Sequence, residues 1–407
     1  MIIFKDEDLN ENWNLMELND LLESQKAGCW GKESDEIDGT PVLRSTNYTK
    51  NFKLKLDDVA FREISKKDIE NKKLEYMDIL LEKSGGGPSQ PVGRVILFDL
   101  IENRDYVCGN FIQLLRADKK VVYPKYLYYW LVLIHRKGFT NLLQNQTTGI
   151  RNLRLKDYLK LQVPLPPLKT QQKIVEILEK AEKLKEWRAE ADVLIDEYLK
   201  SVFLEMFGDP VKNPKGWEIL SLSDLGNWKS GGTPSRKDKT FFMGDVPWYT
   251  SGELNSMYIS NSIERITEKA IENSNAKLIK PNSLLLGMYD TAALKSSITT
   301  VPSSCNQAIA YSELEYENSN IIYVYFAIQI GRKFFRKRQR GIRQKNLNLS
   351  MIKDTKIPSP PLDLQNHFAE IVQKVEQLKH HQNQSKQEMD NLFNVLMQKA
   401  FKGELTC

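Results

Sequence analysis

Two long segments of the chain carry apolar side chains at every third or fourth position. Neither segment, 169–207 or 363–402, contains glycine or proline, the residues that a long helix avoids. The spacing follows a heptad along both segments, which predicts two long helices able to pair as a coiled coil. At ~1.5 Å per residue, each helix is about 55–60 Å long. The apolar positions expected to pack between the helices are Ile174, Ile177, Leu184, Ile195 and Tyr198 in the first segment, and Phe368, Ile371, Leu378, Met389 and Leu392 in the second.

Shorter apolar runs, such as 94–98 and 283–286, precede each helical segment and alternate with Gly, Ser and Asn. This pattern is typical of short strands in a mixed α+β domain. A cluster of three prolines ends each strand-rich region, and we expect it to act as a stiff elbow before the helix. The pattern therefore predicts domains at 1–163 and 210–357, each followed by a long helical segment, at 164–209 and 358–407.

The two halves of the chain repeat each other in the same order. Val-Pro-Leu-Pro-Pro-Leu at 163–168 recurs as Ile-Pro-Ser-Pro-Pro-Leu at 357–362, and Gly-Ile-Arg at 149–151 recurs at 341–343. Trp13, Leu18, Asp20 and Leu21 align with Trp217, Leu222, Asp224 and Leu225. Chance can produce any one of these matches but not the ordered set, so the chain is an internal duplication of about 200 residues per copy.

Two packing arrangements are open to the helices. Each helix can cover the core of its own domain, or the two can pack on each other. The stripe is narrow and longer than one small domain can cover, which favours packing of one helix on the other.

The composition permits a nucleic-acid partner without demanding one. Lys and Arg outnumber Asp and Glu by 58 to 53. This surplus is small, so only local clusters of positive charge can indicate a nucleic-acid partner. The cysteines Cys29, Cys108, Cys305 and Cys407 form no CxxC pair, which disfavours a disulfide framework or a zinc site and favours a reducing compartment. The chain begins without a signal-peptide pattern and has no apolar run of membrane-spanning length. We expect a cytoplasmic protein.

The sequence lacks the motifs of amino-methyltransferases and of enzymes with a phosphate-binding loop. It has no Asn/Asp-Pro-Pro-Tyr/Phe motif of an amino-methyltransferase and no GxxxxGK[ST] phosphate loop. The glycine-rich segment 84–88 has neither the lysine nor the following helix of a phosphate loop, so a turn is expected there. Asp57 or Asp58 with Glu70 and Lys72 only loosely imitates a nuclease triad, and the four histidines have no metal-binding spacing. We predict no catalytic residue, no metal and no cofactor in this chain.

The arrangement resembles the specificity subunits of type I restriction-modification systems along essentially the whole chain. The resemblance is carried by the proline cluster followed by Gln-Gln-Lys-Ile-Val at 171–175, by the helix end at 199–209 and by its counterpart at 392–405. Two further segments resemble known recognition-domain variants, 78–88 and the stretch that contains Ser-Gly-Gly-Thr-Pro-Ser at 230–235. The first copy has no such Ser-Gly-Gly-Thr-Pro segment, which implies that the two domains read different half-sites.

The resemblance implies two tandem α/β target-recognition domains, each followed by a long helix. The two helices would pair as an antiparallel coiled coil with pseudo-two-fold symmetry. It also implies double-stranded DNA with a bipartite target as one partner, two methyltransferase subunits docked on the helical stripes as another, and restriction subunits as a third. S-adenosylmethionine, ATP and Mg would then belong to those partner subunits.

Basic residues mark the candidate DNA contacts. The segment 331–345 holds eight cations and no acidic residue, and such density favours phosphate binding through counterion release, although a solvated helix face is the alternative. Other candidates follow the Ser-Gly-Gly-Thr-Pro turn or surround Trp30, where side chains with paired donors could reach base edges. The full set is Lys26, Lys32, Arg44, Lys83, Arg94, Arg151, Lys229, Arg236, Lys237, Lys239, Arg332, Arg336, Arg338, Arg340 and Arg343.

A second interpretation is a stand-alone DNA-binding regulator that uses its coiled coil only as a spacer between domains. Partner binding separates the two interpretations. A recognition subunit should bind DNA tightly only with a methyltransferase, whereas a regulator should need no partner.

Overall fold

The computed structural model describes residues 13–87, 90–102, 104–147, 150–315, 317, 319–339 and 346–405. The chain divides into two compact units, one formed by Met1–Arg188 with Ser385–Cys407 and the other by Ala189–Gln384. Each unit therefore contains one strand-rich domain and one half of each long helix. The division into domains at 1–163 and 210–357 and helical segments at 164–209 and 358–407 stays a prediction from the sequence. No helix in the described ranges is both long and apolar enough to cross a membrane.

The first domain is a mixed α+β domain. Its strands are β1 (Asn14–Glu17), β2 (Leu22–Ala27), β3 (Lys32–Glu33), β4 (Thr40–Leu43), β5 (Ala60–Glu63), β6 (Ile79–Glu82), β7 (Ser84–Gly86), β8 (Val95–Leu97), β9 (Val107–Cys108), β10 (Ile112–Ala117), β11 (Gln144–Thr147), β12 (Ile150–Leu153) and β13 (Gln162–Leu165). Its helices are α1 (Lys66–Lys72), α2 (Pro124–Arg136) and α3 (Leu155–Tyr158), and the long helix α4 (Leu168–Phe207) follows.

The second domain repeats this organisation. Its strands are β14 (Glu218–Ser221), β15 (Lys229–Ser230), β16 (Val246–Tyr249), β17 (Tyr258–Ile259), β18 (Glu264–Ile266), β19 (Ser283–Gly287), β20 (Ser296–Thr299), β21 (Ser304–Cys305), β22 (Ile309–Glu313) and β23 (Lys356–Ser359). Its helices are α5 (Leu222–Leu225), α6 (Glu268–Glu272), α7 (Ile321–Phe335) and α8 (Leu349–Lys353), and the long helix α9 (Leu362–Lys402) follows.

A central antiparallel sheet covered on both faces forms the core of the first domain. The strand order is β2-β10-β6-β8. Helix α2 begins at Pro124, a favourable first position, and is apolar nearly all round because it is buried between the sheet and the long helices. The opposite face of the sheet packs on a smaller sheet of order β3-β5-β4-β9, around Leu43, Ile96 and Leu114.

The second domain has the same layers around a sheet of order β15-β22-β19-β20-β17. Helix α7 covers one face and takes the place of α2, with Tyr323 and Val324 in the core. Tyr249, Cys305 and Tyr311 fill the other face, toward the small sheet β18-β16-β21. The parallel pair β16–β21 matches the parallel pair β4–β9 of the first domain.

The proline clusters lie at the same junction in both units. Among the described residues, Pro164 lies in β13, which pairs only with β1, and Pro358 lies in β23, which pairs only with β14. The missing proline N–H is tolerated because each is an edge strand of a two-stranded sheet. The strand then ends and the long helix begins three residues later, so the clusters do join strand to helix as predicted.

The long helices use both packing arrangements considered above. In the first unit, Ile174 and Leu178 from the start of α4 pack with Met397 and Phe401 from the end of α9 against the domain core. In the second unit, the end of α4 packs with the start of α9 against α7, through Leu199, Phe203, Phe207, Phe368 and Val372. Each unit thus joins the first half of one helix to the last half of the other, the order that antiparallel pairing requires. The expected α+β fold class, with a long helix after each domain, is confirmed.

Candidate nucleic-acid interface

In each unit a buried glutamine near the start of the long helix hydrogen-bonds to backbone groups at the junction with the preceding domain. We call this contact, made by Gln171 in the first unit and Gln365 in the second, the glutamine lock. The Gln171 amide accepts a hydrogen bond from the Tyr123 N–H (2.7 Å) and donates to the Pro166 carbonyl (2.8 Å). Gln365 makes the same pair of bonds with the Asn320 N–H (2.9 Å) and the Pro360 carbonyl (2.8 Å). Both glutamines are almost fully buried, so these bonds satisfy amide groups that have little access to water.

A buried tyrosine completes this lock in both units. The Tyr126 hydroxyl donates to the Pro164 carbonyl at 2.6 Å, and the Tyr323 hydroxyl donates to the Pro358 carbonyl at 2.7 Å. The lock explains why the proline cluster and the Gln-Gln segment recur together in the sequence. It orients each domain on the helices at its base.

The two long helices also carry a matched pair of salt bridges. In the first unit Lys185 pairs with Asp390 at 2.5 Å, and in the second unit Lys379 pairs with Asp196 at 2.7 Å. Lys185 and Lys379 occupy the same position in the two copies, as do Asp196 and Asp390. The same contact is therefore made twice, once in each unit.

The structure places the ten stripe positions in different environments. Ile174 and Phe368 are buried, and Ile177, Ile195, Ile371 and Met389 are half-buried. Leu184, Tyr198, Leu378 and Leu392 are 50%, 53%, 49% and 54% exposed. Near the C-terminal ends of both helices the buried residues are not the predicted stripe positions. They are Leu199, Phe203 and Phe207 in α4 and their counterparts Phe393, Met397 and Phe401 in α9. A straight helix that packs on several neighbours follows a period near 3.6 residues, so it drifts away from a strict heptad.

A glycine in each domain allows the edge strand to approach a backbone turn. The Gly28 N–H donates to the Ile112 carbonyl (3.1 Å), and a Cβ on Gly28 would lie 2.3 Å from the Cys108 carbonyl oxygen. The Gly231 N–H donates to the Ile309 carbonyl (3.0 Å), and a Cβ on Gly231 would lie 2.3 Å from the Cys305 carbonyl oxygen. The first copy lacks the Ser-Gly-Gly-Thr-Pro sequence but keeps its essential glycine, so Lys26 and Lys229 stand at corresponding places.

A cleft of about 710 Å³ opens beside this glycine segment in the second domain. We call it the second-domain cleft. Its lining includes the exposed side chains of Lys229, Asn275, Lys277 and Gln307. Lys229 is one of the residues predicted from the sequence, whereas the residues at 275, 277 and 307 were not predicted because they come together only through the fold. Amide and ammonium groups are the types that read base edges and bind phosphates.

Several of the predicted DNA contacts make internal contacts within the first domain. Arg94 forms a bidentate salt bridge with the buried Glu82 (2.7 and 2.9 Å) and lies over the Tyr48 ring. Arg44 pairs with Asp58 at 2.8 Å, and Lys26 donates to the Asn71 carbonyl at 2.5 Å. These cations stabilise the domain in the free chain, a role that the sequence did not predict.

Lys83 belongs to a partly buried polar chain. Its ammonium donates to Gln113 (3.2 Å), and the Gln113 amide donates to Gln25 (3.1 Å). Burial is the main cause of a lowered pKa at Lys83. This side chain holds neighbouring strands together and is less available than a surface lysine.

Arg236 is also committed to its own domain. It forms a bidentate pair with Glu264 at 2.5 and 2.7 Å, which raises the pKa of the guanidinium, and it lies 4.4 Å from the Phe242 ring centroid and 5.3 Å from that of Trp248. Lys237 and Lys239, its neighbours, are exposed. The loop therefore presents two lysines without an internal partner beside an exposed arginine that is paired with Glu264.

Arginines in the last turn of α7 and directly after it hydrogen-bond to a strained loop. Arg332 donates to the carbonyls of Ala293 (2.9 Å) and Thr291 (2.6 Å), and Arg336 donates to the carbonyl of Asp290 (3.3 Å). Asp290 has a φ of 47°, a conformation that costs free energy in a non-glycine residue. Burial, followed by the charge of Arg336, lowers the pKa of Arg332. The side chain of Arg338, and Arg340 and Arg343 entirely, lie outside the described residues.

The remaining candidates are free for a ligand. Across the described ranges, no hydrogen bond or ion pair engages the side chains of Lys32, Arg151, Lys229, Lys237 or Lys239, and the four lysines are exposed. The described residues also contain no cluster of three His, Cys, Asp or Glu side chains suited to a metal ion. The lining of the second-domain cleft combines ammonium and amide groups and contains no carboxylate.

Comparison with known proteins identifies the family. The family described as type I restriction modification DNA specificity domain matches residues 10–191 and 214–390, one match in each copy. The chain belongs to this family. The specificity subunit of the Escherichia coli EcoR124I/EcoR124II type I restriction enzyme is 27% identical over 280 residues, which cover 64% of this chain and 65% of that subunit, just under two thirds of its length.

Solved structures share the fold of this specificity-family chain. A chain from a structure on complex assembly and conformational transition of the type I R-M system superposes with a TM-score of 0.64 at 15% identity, covering 98% of this chain and 100% of that one. The S subunit of a type I restriction-modification system from M. genitalium gives a TM-score of 0.57 at 16% identity and covers 97% of each chain. At these identities the likeness shows the fold alone.

Proposed function

We propose that this chain is the non-catalytic DNA-recognition subunit of a type I restriction-modification complex and reads a bipartite target. The observation that carries the proposal is the double match: both copies match the DNA specificity domain, and both domains are held on the helices by the same glutamine lock. Two domains fixed in this way on paired helices can each present one surface to one half-site. The proposed location is the cytoplasm of a prokaryotic cell, where its DNA lies.

The proposed DNA contacts are the cations with no role inside the fold. Lys32 and Arg151 serve the first domain, and Lys229, Lys237 and Lys239 serve the second. A free exposed lysine can neutralise a phosphate and release a counterion without breaking an internal contact. Arg44, Arg94, Arg236, Arg332 and Arg336 already have partners, so they contribute more to the shape of the surface than to its affinity.

The proposed docking surface for partner subunits lies on the exposed part of the helical stripes. The first unit presents Leu184 and Leu392, which are 50% and 54% exposed, and the second presents their counterparts Leu378 and Tyr198, at 49% and 53%. Equal exposure of apolar side chains at matched positions offers one surface twice, which suits two copies of one partner. We assign these surfaces to two methyltransferase subunits, which bring S-adenosylmethionine. Restriction subunits would join with ATP and Mg.

The alternative, a stand-alone DNA-binding regulator, has no use for a duplicated apolar surface. Capture of genomic DNA fragments followed by sequencing separates the two functions. We expect the chain alone to bind weakly and without sequence preference, and the chain with its methyltransferase to enrich a bipartite sequence. Enrichment of the same sequence with the same affinity by the chain alone would support the regulator instead.

A further inference from the structure

The second-domain cleft is built from three backbone segments in close contact. Gly232 lies so close to the 275–276 backbone that a Cβ would be 2.2 Å from the Asn275 carbonyl oxygen. Gly231 lies equally close to the 305–306 backbone. Because the segments meet at glycines, none of them can shift far without a clash. The backbone that carries Asn275, Lys277 and Gln307 is therefore held in place by close packing.

The amide of Gln307 has a defined orientation. Its Oε1 accepts a hydrogen bond from the Thr233 hydroxyl, which leaves the Nε2 donors and one Oε1 lone pair without a partner among the described residues, and the side chain lines the cleft. A donor beside an acceptor is the pattern that matches adenine N7 and N6 in the major groove. Gln307 is exposed, so a base edge can reach it.

The charge of the cleft suits a nucleic acid. Lys229 and Lys277 both line it, are exposed and have no internal partner among the described residues, and the lining includes no carboxylate. Two free ammonium groups beside an oriented amide provide phosphate contacts next to a base-reading group.

The first domain has a different surface at the corresponding place. Trp30 follows the conserved glycine there, is 44% exposed, and packs against Gly109. The Arg62 guanidinium lies 4.5 Å from the centroid of the Trp30 ring. The first domain therefore has an aromatic ring stacked on a guanidinium at the position of Thr233, and the exposed Asn110 at the position of Gln307.

We propose that Gln307, positioned by Thr233, reads an A·T base pair in one half-site, while Lys229 and Lys277 bind the adjacent phosphates. This inference rests on the proposed function and names the residues that determine one half of its specificity.

Sequencing of methylated adenine in cells that carry the chain with its methyltransferase tests the proposal. The Gln307→Ala variant should accept other base pairs at one A·T position, with discrimination reduced by about tenfold to a hundredfold. The other half-site should be unchanged. Asn273→Ala, an exposed amide at the end of α6 that does not line the cleft, should leave the whole motif unchanged.

Two further variants separate reading from positioning and from phosphate binding. Thr233→Ala should relax the same position as Gln307→Ala, and Thr233→Ser, which keeps the hydroxyl, should restore it. The Lys229→Ala/Lys277→Ala double variant of the complex should weaken binding to all sequences alike and lower the slope of log affinity against log salt by about 2.

The outcomes are distinct. A bipartite wild-type motif that Gln307→Ala leaves unchanged at every position overturns this inference and leaves the proposed function standing. A change in both half-sites also overturns it, because the cleft belongs to one domain. Absence of any motif with the wild-type chain overturns both, because the cleft would then have no DNA target.

Discussion

The two domains share their attachment to the helices but differ inside and at their surfaces. At the base, Gln171 and Gln365 make the same bonds, as do Tyr126 and Tyr323. The central sheets differ. The first encloses the ion pairs Glu82–Arg94 and Asp78–Arg116, with both carboxylates about 2% exposed. The second has Gly287 and Ser283 at the strand positions of Glu82 and Asp78.

The difference shows which parts of the molecule are constrained. Contacts with the long helices are kept because both domains must be held in the same way. The interior of each sheet only has to satisfy its own polar groups, and a buried ion pair or a buried hydroxyl can do so. The surface beyond it is free to change with the sequence that each domain reads.

The largest expected effect comes from breaking an ion pair that only the first domain has. Glu82→Ala leaves Arg94 buried without its carboxylate and should lower the free energy of unfolding of the first unit by about 3–5 kcal/mol. Asp58→Ala removes the exposed partner of Arg44 and should cost at most about 1 kcal/mol. Hydrogen exchange measured by mass spectrometry on the full chain reports each unit separately. Equal losses for the two variants would contradict this account of the first domain.

The glutamine locks are a feature that the two domains share, so breaking either one should destabilise its own unit to the same extent. Gln171→Ala and Gln365→Ala should each cost about 1–3 kcal/mol, because each leaves a partly buried N–H and a buried carbonyl without its partner. The same hydrogen-exchange measurement should find the two losses equal to within about 0.5 kcal/mol. A loss in only one unit would show that the two locks are not equivalent.

A smaller effect depends on pH and should affect only the first unit. Burial, reinforced by Arg94 and Arg136, lowers the pKa of His135 to about 4, whereas Arg332 occupies the matching place in α7 and stays charged. The unfolded chain binds more protons than the folded chain between about pH 6.5 and 4, so stability falls as the pH drops through this window. From pH 7 to 5.5 the first unit should lose about 1 kcal/mol.

The control for this prediction is His135→Gln, which cannot titrate. Thermal unfolding of both proteins at the two pH values should show a larger decrease for the wild-type chain. An equal decrease in the variant would mean that another group is responsible.

The sequence predicted the parts of the fold that recur or follow a period. The duplication, the proline junctions and the long helices are local or repeated features, so they can be read without a structure. The exposure of Leu184 and Tyr198 was not predictable from the heptad, because burial depends on which neighbours each half of a helix meets. The correspondence of Gly28 with Gly231 was hidden because the flanking residues differ.

The candidate site was less predictable than the fold. A run of cations shows where positive charge is, but not which guanidinium finds a carboxylate or a carbonyl after folding. Arg94 and Arg236 are bound by Glu82 and Glu264, distant in sequence, whereas Lys237 remains free. Gln307 gave no signal, since its orientation comes from Thr233 on another segment.

The most direct test of the central claim is sequencing of methylated adenine in DNA from cells that carry the methyltransferase with or without this chain. The account predicts a bipartite motif with two different half-sites that disappears when the chain is deleted. Active methyltransferase with no motif that depends on the chain would contradict it.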